Sequence, residues 1–218
     1  MFNSFLSNPL GMLAYYAAFL PAIVVAFTLH EFGHAITAVA LGDETPRDQG
    51  RLTLNPIAHI DLIGIAFMVL LRFGWAKPVQ IRPSNFKNPR RDQLIVSLAG
   101  VAMNFMTATA VYGVLVALRY APDGVVMQWV AQFVMQLFQV SLMLCVFNLI
   151  PCPPLDGWQV LKALAGPGIL RVSQRVERYG FVVLMVLSFV GGLGLIVTFG
   201  VDALQTVIRG FYGLLGVR

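Results

Sequence analysis

His30-Glu31-Phe32-Gly33-His34 places two imidazoles four residues apart with a carboxylate beside the first. On a helix, residues four apart share a face, so both histidines can hold one Zn²⁺ while Glu31 sits next to the water that the metal activates. That chemistry is hydrolysis, and it needs a third protein ligand and an open position for water. The motif lies in the apolar run from Met12 to Leu41, which holds no other charged residue. Ionisable groups so placed are costly in lipid and must face the interior of a helix bundle. His34 lies seven residues before Leu41 and His30 eleven, which sets the metal roughly 10–16 Å below that end of the helix.

The third ligand must be an acid that reaches the same depth. Asp156 ends the run Asn148-Leu149-Ile150-Pro151-Cys152-Pro153-Pro154-Leu155-Asp156, followed by Gly157, directly after an apolar stretch. Its three prolines remove amide donors and break the helix, and irregular backbone at membrane depth is tolerated only where it lines a polar cavity. A carboxylate there can meet the metal without facing lipid. Asp61 is the competitor, at the start of the short apolar run Leu62 to Leu71. His59 reads as a hydrogen-bonded loop residue, and Cys145 and Cys152 as small packed side chains rather than a disulfide framework.

These groups must be positioned by membrane helices. Of 218 residues, 58% are hydrophobic and 11% charged, against about 25% charged in a soluble domain. Four stretches can cross about 30 Å of hydrocarbon: Met12 to Leu41, Leu94 to Leu118, Val125 to Ile150 and Gly180 to Val201. Ala203 to Val217 is read as a fifth span, although it is short and contains Arg209. The ten residues Leu62 to Leu71 read as a re-entrant or interfacial segment. Gly50 to Thr53 and Trp75 to Ile81 mix β-formers with Gly and Pro and suggest a small extended hairpin at the cytoplasmic face. The expected fold is an all-α polytopic membrane protein forming one domain over residues 1–218.

The net charge of +5 does not point to nucleic acid, because the basic residues sit between hydrophobic runs, where they report orientation. If Leu62 to Leu71 does not cross, twelve of the fifteen Lys and Arg lie on one side. That side is expected to be the cytoplasm, with the N-terminus outside and, after five spans, the C-terminus inside. No Lys or Arg precedes Arg47, so the first apolar segment lacks the basic region of a signal peptide and is expected to be retained.

The residues resemble the site-2 protease family of intramembrane zinc metalloproteases, in its compact form without PDZ or CBS domains. HEFGH and the stretch from Asn148 to Gly157 are similar to its two signature motifs. Gly100-Val101-Ala102-Met103-Asn104 is similar to its GxxxN element, and Arg51 to Asp61 with Phe73 to Arg91 to its cytoplasmic insert. The resemblance runs from about Ala22 to Ala163; the last quarter matches only as hydrophobic spans. Val101 stands where the family commonly has proline, and Ile65 where it often has threonine.

The resemblance implies one zinc held by His30, His34 and Asp156, with Glu31 as general base. It implies that Asn148 holds substrate or the developing oxyanion, and it puts Gly100 and Asn104 on the span beside the zinc helix, where Gly100 also suits close helix packing and Asn104 reads either as lining the site or as a hydrogen bond between helices. The partners implied are a transmembrane protein substrate and the bilayer of a prokaryotic cell membrane. A strand edge in the Gly50 to Ile81 insert could hold an unwound substrate segment by β-addition. Two other readings stand beside this one. A non-catalytic scaffold of the same fold is disfavoured because the glutamate and all ligands are retained. A prenyl-protein-processing protease would need a glutamate as third ligand, and only Glu44 and Glu177 are available.

Overall fold

The computed structural model describes residues 9–71, 74, 77–165 and 167–216. The elements in chain order are α1 (Pro9–Ala40), α2 (Thr45–Asp48), a 3₁₀ turn (Pro56–Ala58), α3 (Leu62–Leu71), a second 3₁₀ turn (Pro83–Asn85), α4 (Pro89–Leu118), α5 (Val125–Leu149), α6 (Asp156–Ala165), α7 (Pro167–Phe189) and α8 (Gly192–Leu214). Four of the described helices, α1, α4, α5 and α8, are long and apolar enough to cross a membrane.

Small side chains bring the first three of these together. Along α1 the buried positions recur every four residues: Ala18, Ala22, Ala26, His30, His34 and Ala38. On α4 the same interval gives Asp92, Val96, Gly100, Asn104 and Ala108. Lipid tails are as apolar as leucine, so membrane helices associate by close packing, and small residues allow the backbones to approach. A Cβ on Gly33 would lie 2.9 Å from the Ala99 carbonyl oxygen and 3.1 Å from Met103 Cβ, which shows how closely α1 and α4 meet. Ala22, Ile23 and Ala26 of α1 pack in turn against Leu137, Val140 and Leu144 of α5.

Two sequence expectations are corrected in the C-terminal region. Gly180 to Val201 is not one span, because α7 ends at Phe189 and α8 starts at Gly192. Gly191 between them has φ +77°, a left-handed conformation that glycine adopts without steric cost. Hydropathy is blind to such a break. Ala203 to Val217 is not a separate span either: its described part is the second half of α8, and Val217 lies outside the described residues. Leu193 packs with Leu155 and Leu184 beside the Pro-rich loop. At the other end of α8, the Tyr212 hydroxyl donates to the Thr109 carbonyl at 2.9 Å. The last helix therefore ends towards the α4–α5 turn, at the opposite end of the bundle from the Pro-rich loop.

The described residues contain no β-strand, so among them the small hairpin is not formed. Gly50, at φ +65°, and the bond from Arg51 N–H to the Pro46 carbonyl (2.8 Å) make 50–53 the exit from α2. Trp75 and Ala76 lie outside the described residues. The segment that follows is held by one backbone carbonyl and two side-chain carboxylates. Lys77 N–H donates to the His59 carbonyl at 2.9 Å, Val79 N–H to Glu31 Oε2 at 2.9 Å and Arg82 N–H to Asp43 Oδ2 at 2.7 Å. α3 is a ten-residue helix, about half the length that a crossing needs.

Candidate active site

The ligand helix, the Pro-rich loop and the stripe on α4 converge on one point. His30 and His34 come from α1, and Asp156 is the first residue of α6. The two Nε2 atoms are 3.2 Å apart, and each lies 3.1 Å from Asp156 Oδ2. Ligands 2.0–2.1 Å from a tetrahedral ion stand about 3.3 Å from one another, so these three atoms are spaced as neighbouring corners of a zinc site. Two imidazoles and one carboxylate are also a donor set that zinc accepts, with a fourth position open. Among the described residues this is the one group of three His, Cys, Asp or Glu side chains able to hold a metal. The competitor Asp61 is elsewhere, its Oδ1 accepting the amides of Ile63 (2.9 Å) and Gly64 (3.2 Å) at the start of α3.

The loop reaches the metal position because its turns are tightly packed. After α5 ends, Cys152 N–H donates to the Ile150 carbonyl (2.8 Å) and Leu155 N–H to that of Cys152 (3.0 Å), turning the chain back into the bundle. A Cβ on Gly157 would lie 2.6 Å from the Leu149 carbonyl carbon, so the residue after Asp156 has no room for a side chain. Glu177 on α7 then fastens α6, accepting from Lys162 Nζ (2.7 Å) and Trp158 Nε1 (2.9 Å). Both donors hold its carboxyl below the usual carboxylate range, the Lys162 bond foremost.

α4 forms the wall behind the imidazoles. His34 Nδ1 is 2.7 Å from the Val96 carbonyl. Asn104 Nδ2 lies 3.1 Å from His30 Nδ1. Between them, a Cβ on Gly100 would stand 2.7 Å from His30 Cε1 and 2.8 Å from its Nε2, and would also collide with His34 Nε2. A glycine is thus required where α4 meets both rings.

Glu31 and Asn148 line the same cavity of about 1050 Å³ as the three ligands. Its far wall is apolar and aromatic, with Tyr15, Tyr16 and Phe19 of α1 facing Leu193 and Val197 of α8. Asn148 is near the cluster but not in it; its Nδ2 donates back to the Leu144 carbonyl at 3.0 Å. His59 is fully buried away from the metal position, with Nε2 2.8 Å from the Thr53 carbonyl. Sequence reasoning missed two participants. The Val96 carbonyl had a signal, being one helical turn from Gly100, whereas the Val79 amide that meets Glu31 is backbone and leaves no mark in side-chain chemistry.

A second polar centre holds the insert in place. The Asp43 carboxylate accepts from Thr45 Oγ1 (2.6 Å), Thr45 N–H (3.2 Å), Asn85 Nδ2 (2.7 Å) and Arg82 N–H (2.7 Å). Burial works to raise its pKa, but the donors outweigh it and hold the group below the ordinary 3.8.

The Bacillus subtilis protein YwhC is 39% identical over 195 residues, covering 88% of this chain and 87% of the relative. The profile described as Peptidase family M50 matches residues 119–191, which include Asn148 and Asp156. The chain belongs to peptidase family M50. Rip2 of Mycolicibacterium smegmatis is 30% identical over 184 residues, 83% of this chain and 70% of its own. Rip2 of Mycobacterium tuberculosis is 31% identical over 185 residues, 80% and 69%. All three carry the name "Putative zinc metalloprotease". No solved structure matches the chain. M50 membership makes the protein a peptidase, and its four long apolar helices make it an integral membrane one.

Proposed function

We propose that this M50 peptidase is an intramembrane zinc endopeptidase that cuts transmembrane segments of other membrane proteins. The observation that carries the reading is the convergence of His30, His34 and Asp156 beside Glu31, on a cavity within membrane-length helices. Zinc held there would polarise the scissile carbonyl and make water a nucleophile near neutral pH. Glu31 takes a proton from the attacking water and returns it to the leaving amine nitrogen. Its Oε2 already accepts one hydrogen bond, from Val79 N–H, which limits rotation of the carboxylate. Asn148 donates to the oxyanion or the substrate backbone after its amide turns from Leu144 into the cavity. Asn104 belongs to the site rather than to packing alone.

The substrate is a transmembrane helix that unwinds before it is cut, because a helix hides its carbonyls in hydrogen bonds to residue i+4. The N-terminus faces outside, and water reaches the metal from the cytoplasm through the insert. The basic loops on that side support this orientation. The deciding experiment uses Glu31→Gln, purified with zinc and given a model transmembrane substrate. Cleavage should fall by a factor of about 10²–10⁴ while zinc content is unchanged. Cleavage at the wild-type rate would remove Glu31 from the mechanism.

A further inference from the structure

Asn104 is fully buried in the α1–α4 interface, and its Oδ1 has no hydrogen-bond partner. Its other terminal atom, Nδ2, faces His30 Nδ1 at 3.1 Å. A neutral imidazole carries one proton, and the nitrogen that binds a metal must be the one without it. His30 turns Nε2 to Asp156 and His34, so Nε2 needs its lone pair and Nδ1 must carry the hydrogen. An N–H beside an amino group is two donors facing each other. The same N–H beside the amide carbonyl is a hydrogen bond, and the two ends of an asparagine amide fill nearly the same space.

His34 shows the pattern on the neighbouring ligand, with Nδ1 2.7 Å from the Val96 carbonyl, a group that can only accept. Val96 and Asn104 are eight residues apart on one buried stripe of α4, with Gly100 between them. At His30 the group of α4 that stands within hydrogen-bond distance of Nδ1 is the Asn104 amide rather than a backbone carbonyl, so the acceptor there comes from that side chain.

We propose that Asn104 is a positioning residue whose side-chain carbonyl accepts the Nδ1–H of His30, fixing the ring in the tautomer and orientation that ligate through Nε2. The inference rests on the zinc reading above and adds to it the outer support of one ligand. It also gives the GxxxN element a single purpose, glycine making room for the rings and asparagine setting one of them.

The test measures zinc affinity of the purified full-length chain by competition with a chromophoric chelator, with the visible spectrum of the cobalt-substituted protein as a second readout. Asn104→Leu keeps the branched outline of the side chain, although its methyl groups are bulkier, and removes the acceptor. It should weaken zinc binding ten- to a hundredfold, as losing an outer-shell partner typically does, and should alter the cobalt spectrum. Asn104→Asp keeps an acceptor, and should bind zinc within about threefold of wild type or more tightly, with the cobalt spectrum retained. A residue that only packs α1 against α4 would give the opposite order, with leucine tolerated and the buried charge harmful. Wild-type affinity in Asn104→Leu overturns the assignment, and so does a tenfold loss in Asn104→Asp, which decides the matter if the leucine variant does not fold. A wild-type chain that binds no zinc would instead overturn the zinc reading itself.

Discussion

At Gly100, a hydrogen atom stands where any other residue would drive a carbon into both imidazoles. Gly100→Ala is expected to lower zinc affinity at least tenfold and to cut cleavage in proportion, with thermal unfolding in detergent little changed, because the clash can be relieved by turning the rings. Chelator competition beside a melting curve checks this. Asp43 gives the pH dependence. Its carboxyl ordinarily titrates near 3.8 and is held lower in the fold. Its stabilisation is therefore complete above pH 3.8 and lost as the pH falls through the lower, folded value. Asp43→Asn should destabilise the protein by roughly 2 kcal/mol at neutral pH, about the worth of hydrogen bonds to a charged group. It should also flatten the acid limb of the stability curve below the ordinary carboxyl value of 3.8, and unchanged acid sensitivity would refute the assignment. At this scale the sequence was readable wherever chemistry sits on side chains. The spacing of His30 and His34 and the Pro-rich approach to Asp156 pointed to the cluster directly, whereas the Asp43 centre depends on two distant donors, Arg82 and Asn85, brought to it only by folding.

Among the elements, α7 and α8 show where hydropathy stops being informative. Gly180 to Val201 reads as one apolar run because nothing in a hydropathy sum registers that Gly191 is left-handed. Gly191→Ala should cost roughly 1–2 kcal/mol, seen as a lower melting temperature, with cleavage per folded molecule retained because the break is outside the metal site. The insert was misread for a related reason. The mixture of β-formers with Gly and Pro in Gly50 to Thr53 and Trp75 to Ile81 suggests a small extended hairpin, yet the amides of Val79 and Arg82 find carboxylates instead. Val79→Pro removes the N–H given to Glu31 and should lower the cleavage rate about tenfold with zinc binding intact. An undiminished rate would show that Glu31 needs no help from this segment.

Taken whole, the bundle has two unlike ends, and the charge pattern that marked them in the sequence can be tested together with the direction of α8. In a variant with Cys145 and Cys152 replaced, single cysteines at Gly124, Lys87 and Leu215 can be labelled in intact cells by a membrane-impermeant maleimide. Gly124→Cys should react without permeabilisation and Lys87→Cys only after it. Leu215→Cys should behave like Gly124→Cys, because α8 ends beside α4 near Thr109. Sequence reasoning expected the reverse for the C-terminus, since it counted five crossings where the described chain has four apolar helices of that length.

The stripe on α1 has a consequence for how this catalyst could be altered. Alanines and histidines recur there at one interval, so the metal ligands occupy positions that otherwise serve as contact points between helices. Inserting a single residue between Ala26 and His30 would rotate everything after it by about 100°, carrying both imidazoles out of the interface at the same time as it separates the helices. A four-residue shift would nearly preserve the register. An engineer moving the centre along the bilayer normal would therefore have to work in whole turns, exchanging an alanine for a histidine at each step. Insertions and deletions of other lengths would be eliminated as folding failures before they were ever tested as catalysts.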